Sequence, residues 1–279
     1  MQFEILAPAG NIQYLSEILE AKPDAVYVGL KSFSSRPQYA DMDLNDIEEA
    51  VRLCHENGVR LYVAVNANVH ESKVEELISA ILAMDEFCAD AVILSEFGLI
   101  EQLCGKLVHM KIHSSTLMGV YNISTVRLLK EMGVSRIIFY ANLYFDEIAS
   151  IINAVPDMEY ELVAEGGTCF NDIRQCHLPH SYQGQQHNLF CRFNYKLQCE
   201  GREDVLANPI SEHPTSTAEI IGLFMAIGIH SFKIEGRTVP AGERIPMIMK
   251  LRESIQNYGE GSPLRSYLHY FSRSNREMR

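Results

Sequence analysis

The chain has 279 residues, 47% hydrophobic and 22% charged, with a formal net charge of −12. That apolar share suffices for a substantial core and excludes a disordered or collagen-like chain, while the acidic balance argues against broad attraction to phosphate backbones and leaves RNA only local contacts. No apolar run reaches the roughly 18 residues of a membrane span, and MQFEILAPAG lacks the basic region and apolar core of a signal peptide, so the expected setting is cytoplasmic with no membrane partner.

Along the chain, short runs rich in Val, Ile, Phe and Tyr alternate with amphipathic stretches closed by glycine or acidic turns. A strand over Glu4–Ala7 leads to a helix capped by Asn11, with Leu15, Ile18 and Leu19 on one face. A second strand, Ala25–Gly29, precedes a helix lined by Ile47, Val51 and Cys54 that stops at Asn57–Gly58. Strand three spans Leu61–Asn66 and its helix Val74–Phe87; strand four spans Ala91–Ser95, with only Phe97–Cys104 left for a helix. Strand five, Lys111–Ser114, is followed by a helix ending at Gly133, and strand six, Arg136–Tyr140, by a helix over Phe145–Ala154. Strand seven, Glu159–Ala164, opens onto a long segment from Thr168 to Glu212. A helix over Thr217–Ile227, an eighth strand over Ser231–Glu235 and a helix from Pro246 to Tyr258 complete the pattern, Pro246 suiting a first helical turn.

Eight strands alternating with helices, without a composition break, predict an α/β fold: a single (β/α)8 TIM-type barrel over residues 1–261 with a long cysteine-bearing loop after strand seven. Residues 262–279 form a C-terminal tail in which Arg265, Arg273, Arg276 and Arg279 are interleaved with Tyr267, Tyr270 and Phe271. That composition suits a solvated or partner-packing extension, with a local basic patch that docks RNA as the alternative.

In such a barrel the functional groups sit at the C-terminal ends of the strands and in the loops beyond them. Arg36, Asn66, His113 with Ser115 and Thr116, Glu165, and the trio Lys233, Glu235 and Arg237 all fall there. Lys233 and Arg237 suit a carboxylate or phosphate, with Glu235 orienting them, and Arg36 could hold another anionic group. His113 is a candidate for proton transfer or hydrogen bonding, and Glu165 for a base. His113 and Ser115 share a strand face but lack a carboxylate to orient them, so they make a poor hydrolytic pair.

Four of the seven cysteines, Cys169, Cys176, Cys191 and Cys199, fall within the long loop. Thiolates are the natural ligands of an iron–sulfur cluster or of zinc, and four complete either coordination sphere. His177, His180 and His187 keep zinc open as the alternative. Cys54, Cys88 and Cys104, on predicted helices among apolar neighbours, read as small buried hydrophobes.

Several segments, in order, are similar to the collagenase-like peptidase family U32: LAPAGN at Leu6–Asn11, DAVYVG at Asp24–Gly29, VN at Val65–Asn66, HSSTLM at His113–Met118, CFNDIRQC at Cys169–Cys176 and KIEGR at Lys233–Arg237. The resemblance, to a short single-barrel form, implies an iron–sulfur protein that hydroxylates RNA bases, quinone precursors or other small molecules without oxygen, some members using prephenate as oxygen donor. It matches Cys169, Cys176 and Cys191 to ligands of a 4Fe–4S cluster, and Arg36 and Asn66 to family positions. The fourth family ligand corresponds to Ser216, which leaves Cys199 as the substitute or one iron open. Ala141–Asn142, Glu165 and Leu117 also depart from the family pattern, which implies a different substrate pocket. The family name keeps a peptidase as the alternative, although the chain has no HExxH site; a cluster-bearing subunit of a heterodimer is the third expectation.

Overall fold

The computed structural model describes residues 3–35, 41–139, 143–166, 195–199, 202–206 and 215–259. The elements alternate as β1 (Glu4–Pro8), α1 (Ile12–Leu19), β2 (Ala25–Gly29), α2 (Leu44–Glu56), β3 (Arg60–Val65), α3 (Val74–Glu86), β4 (Ala91–Leu94) and α4 (Phe97–Leu103). They continue with β5 (Lys111–Ser114), α5 (Ile123–Glu131), β6 (Val134–Ile138), α6 (Phe145–Ala154) and β7 (Glu159–Gly166). Beyond β7 come a hairpin of β8 (Tyr195–Cys199) and β9 (Arg202–Leu206), then β10 (Thr215–Ser216), α7 (Ile221–Ile227), β11 (Ser231–Ile234) and α8 (Ala241–Gly259).

Strands β1 to β7 pair in parallel, each with the next, and β11 pairs with both β7 and β1, so eight strands close into the expected barrel. The alternation of side chains along each strand separates two cores. On β1, Ile5 and Ala7 join a large cluster with helix residues such as Leu15 and Ile18, whereas Leu6 packs with Ala25, Tyr27, Tyr62, Ala64, Ala91, Ile93 and Ile138. The first cluster is the layer between sheet and helices; the second fills part of the barrel interior. Burying side chains the size of Leu15 or Ile18, each 0% exposed, contributes roughly 1.5–3 kcal/mol apiece.

Polar side chains fix where the elements start. Asn11 Oδ1 accepts from Tyr14 N at 2.8 Å, capping α1, and Asp43 forms a capping box with Asp46 at the start of α2. Asp24 and Asp90, entering β2 and β4, accept from the backbone N–H groups of Ile5 and Leu61 on the preceding strands at 2.9 and 2.8 Å.

Some boundaries differ from the sequence reading. Strand β6 begins at Val134 rather than Arg136. Helix α7 starts at Ile221, because Thr217 N donates to Ala164 O at 2.9 Å and ties the preceding residues to β7. Helix α8 starts at Ala241, so Pro246 lies inside it and cannot donate to the carbonyl four residues back. Cys54 is buried as expected, but Cys88 and Cys104 are exposed, since each falls just past the end of its helix.

Candidate active site

The barrel interior is partly ionic. Arg136 on β6 donates to Glu4 Oε1 on β1 at 2.6 Å, to Glu161 Oε2 on β7 at 3.1 Å and to Glu159 Oε2 at 2.8 Å. Glu4 also accepts from the Tyr62 hydroxyl at 2.7 Å and from Ser231 Oγ at 2.6 Å, and Arg60 pairs with its other side at 2.7 Å. Burial alone would raise the pKa of Glu4, but Arg136, Arg60 and Ser231 outweigh it and hold the carboxyl below its usual range. Glu161 continues the chain upward, its Oε1 lying 3.6 Å from Lys233 Nζ. The Lys233 ammonium also sits 4.1 Å from the centroid of the Tyr27 ring, a cation–π distance. Charge therefore alternates along Arg60, Glu4, Arg136, Glu161 and Lys233, ending where β11 reaches the C-terminal mouth.

His113, on β5, is 1% exposed and meets Tyr62 edge to face with ring centroids 4.9 Å apart. Burial, reinforced by the positive charges of Arg136, Lys111, Lys233 and Arg60, pushes its pKa well below the usual histidine value. The imidazole is therefore neutral at pH 7, and its buried Nδ1 has no hydrogen-bond partner among the described residues.

At the rim, Asn66 ties three loops together: its Nδ2 donates to Ser115 Oγ at 3.2 Å and its Oδ1 accepts from Ser35 N at 3.0 Å. Ser115 Oγ also accepts from Leu117 N, capping a short 3-10 turn in which Thr116 is half-buried. The Ser115 hydroxyl is thus engaged by Asn66 and Leu117. Arg237 is buried, with Nη1 donating to Asp41 Oδ1 at 2.9 Å and Nη2 to Ser34 Oγ at 2.6 Å.

Around the end of β7, Glu165 Oε1 accepts from Ser216 Oγ at 2.6 Å, because β10 runs antiparallel to β7 and sets Ser216 opposite Glu165. The half-buried Glu235 folds across Gly166, where a Cβ would stand 2.9 Å from its Cβ, Cγ and Oε2. Only a glycine lets the chain leave β7 under that carboxylate, three residues before Cys169.

The structure thus gathers His113, Lys233, Glu165, Glu235, Asn66, Ser115, Thr116 and Arg237 at or below the same barrel end. Arg36, Cys169, Cys176 and Cys191 lie outside the described residues, as does the tail after 259. Cys199 ends β8, opposite Arg202 across the hairpin. Sequence reading missed Glu4, Arg136 and Glu161 as a site framework. Their signal was present: Glu159 and Glu161 recur with period two in a strand otherwise rich in apolar residues, the spacing of one face of a sheet.

A family model described as peptidase family U32 matches residues 10–276. The tRNA hydroxylation protein P of Escherichia coli is 29% identical over 236 residues, covering 83% of this chain and 52% of that protein. The 23S rRNA 5-hydroxycytidine C2501 synthase of the same organism is 27% identical, covering 85% of this chain and 36% of its own length. The chain therefore spans about half the length, or less, of these two relatives. Among solved structures, the U32 peptidase Mk0906 superposes with a TM-score of 0.52 at 13% identity, covering 60% of this chain and 70% of that one. Among the described residues no helix is long and apolar enough to cross a membrane.

Proposed function

The chain belongs to peptidase family U32, and on that premise we propose that it is an oxygen-independent hydroxylase of RNA carrying an iron–sulfur cluster on Cys169, Cys176, Cys191 and Cys199. The observation that carries the RNA reading is its similarity to two proteins named for tRNA and rRNA hydroxylation. Four thiols within one loop, rooted at the mouth end of β7, are a donor set that fits a 4Fe–4S cluster by number and softness, with zinc as the competing metal. When bound, such a cluster would supply redox chemistry or Lewis acidity toward an oxygen donor, for which prephenate is the candidate that the family resemblance offers.

The chain's own groups have separable tasks in this reading. Lys233, anchored by Glu161 and Tyr27, presents an ammonium that can hold an anionic group of substrate or donor. His113, neutral and buried, can accept a proton or a hydrogen bond at Nδ1. Glu165 and Glu235, at the root of the cysteine loop, can accept hydrogen bonds from the substrate or orient it. A serine peptidase built on His113 and Ser115 is disfavoured, because Ser115 Oγ bonds Asn66 and Leu117 while His113 Nδ1 has no hydrogen-bond partner among the described residues. A heterodimer gains no support from the relatives.

Two measurements test the proposal. Protein purified without oxygen should contain iron and acid-labile sulfide, and Cys169→Ala should lose both; zinc in their place would overturn the cluster. Cys199→Ala should lower the iron content if Cys199 is the fourth ligand. Mass spectrometry of nucleosides from a deletion strain should reveal a missing hydroxylated base, restored by the intact gene; unchanged RNA would overturn the substrate class.

A further inference from the structure

We infer that Arg237 is a positioning residue that fastens the β2 side of the barrel mouth rather than a ligand for substrate. Its side chain is 3% exposed, leaving almost no surface for a bound molecule. The guanidinium uses its planar fork to join two separate points, Asp41 Oδ1 through Nη1 and Ser34 Oγ through Nη2. Those two residues bracket the segment that carries Arg36.

The surrounding contacts tighten the same junction. Met42 N donates to Gly29 O at 2.8 Å and Lys31 N to Met42 O at 2.9 Å, so the chain returns to the end of β2 directly beside the ion pair. Asn66 holds Ser35 N from β3, and Ala67 N donates to Phe33 O at 2.9 Å. Gly29 makes room for the clamp: a Cβ there would stand 1.7 Å from Arg237 Nη1 and 2.1 Å from Asp41 Oδ1. The guanidinium carbon also lies 5.8 Å from the centroid of Tyr27, the ring on which Lys233 rests at 4.1 Å. Arg237 therefore acts on two parts of the mouth, the ends of the β2–α2 connection and, through Tyr27, the Lys233 ammonium.

Energetics favour a positional role over a purely stabilising one. A buried ion pair yields little net stability compared with well-packed apolar side chains, because both charges must be desolvated. A bidentate fork, in contrast, fixes direction as well as distance. The sequence separation of 196 residues between Asp41 and Arg237 means that the last barrel strand sets the geometry of the second.

The test uses the full chain with Arg237→Lys, which keeps a cation but lacks the fork, and Gly29→Ala, which evicts the guanidinium without removing any charge. Hydrogen exchange at the amides of Lys31, Ser35 and Met42 should quicken by about tenfold or more in both variants, with the strands of the far side unchanged. In the deletion strain each variant should restore the hydroxylated nucleoside about tenfold less well than the intact gene, a loss expected when a binding group shifts by a fraction of an ångström. Asp85→Asn, which weakens the fold at the opposite end of the barrel, serves as the control of comparable melting temperature. Unaltered exchange at those three amides overturns the clamp, and so does a loss of product no greater than that of the Asp85 control. The activity arm rests on the hydroxylase reading: a strain whose RNA lacks any hydroxylated nucleoside with the intact gene overturns that reading, while the exchange result still decides the clamp.

Discussion

A neutral imidazole enclosed by cations makes His113 the residue through which the barrel interior responds to pH. Its folded pKa lies well below the usual value, so the unfolded chain binds a proton that the folded one refuses. Stability from this group is complete above about pH 6.5, the unfolded value, and falls as the pH drops below it, by at most about 1.4 kcal/mol per pH unit. His230, whose pKa is also lowered by burial and whose Nδ1 accepts from Tyr160 N at 3.3 Å, acts in the same window. Replacing His113 with Gln should therefore shrink, not abolish, the slope of unfolding free energy against pH between about 6.5 and 5. Urea melts across that range measure it, and an unchanged slope would refute the neutral buried state. The sequence marked His113 by its place at a strand end, but its cationic surroundings come from β3, β5, β6 and β11, and no local pattern announces them.

At the level of elements, the eight barrel strands were legible because they are short, mostly apolar runs covered on both faces, and their predicted limits fall within about two residues of the observed ones, whereas the β8–β9 hairpin lies in a segment read as loop. The misses have tertiary causes. Strand β10 is two residues long and exists only because the chain returns to Glu165 and Gly166 of β7 after a long excursion. The start of α8 lies ahead of Pro246, which the sequence alone marks as a natural first-turn residue. Asp85 shows how one side chain joins elements that patterning treats as separate. At the end of α3, it accepts from the N–H groups of Val108, His109 and Met110, at 2.8, 2.9 and 2.6 Å, and so positions the entry to β5. Burial would raise its pKa, but the three N–H groups outweigh that and lower it, so its contribution is present above about pH 4 and lost in acid. Asp85→Asn preserves the shape yet presents an amide nitrogen to one of those donors. It should cost about 1–3 kcal/mol at neutral pH and less below pH 4, as measured by denaturant midpoints. A neutral variant of equal stability at pH 7 would show that the carboxylate is dispensable.

Across the whole molecule, the ion chain inside the barrel joins parts of the sequence that are far apart. Arg136 meets Glu4 across 132 residues, and through Glu4, Glu159 and Glu161 it links β6 to β1 and β7, the two strands between which β11 closes the barrel. Such a contact joins residues that only the closed barrel brings together, so sequence periodicity could anticipate the barrel but not the pairing at its centre. Once formed, the network is costly to break on one side only. Arg136→Met would leave Glu4 and Glu161 as buried carboxylates without their main cation, and should destabilise the fold by about 3–5 kcal/mol. The same change in a Glu4→Gln background should cost clearly less, because one of the stranded charges is already gone; the difference, about 0.5–3 kcal/mol, is the coupling between the two residues. Additive losses in that double-mutant cycle would mean that Arg136 serves Glu161 and Glu159 alone. In that case the link between the first strand and the last turn of barrel closure would fall to Ser231, whose hydroxyl reaches Glu4 Oε1 from β11 at 2.6 Å, and Ser231→Ala would become the more damaging change at that junction.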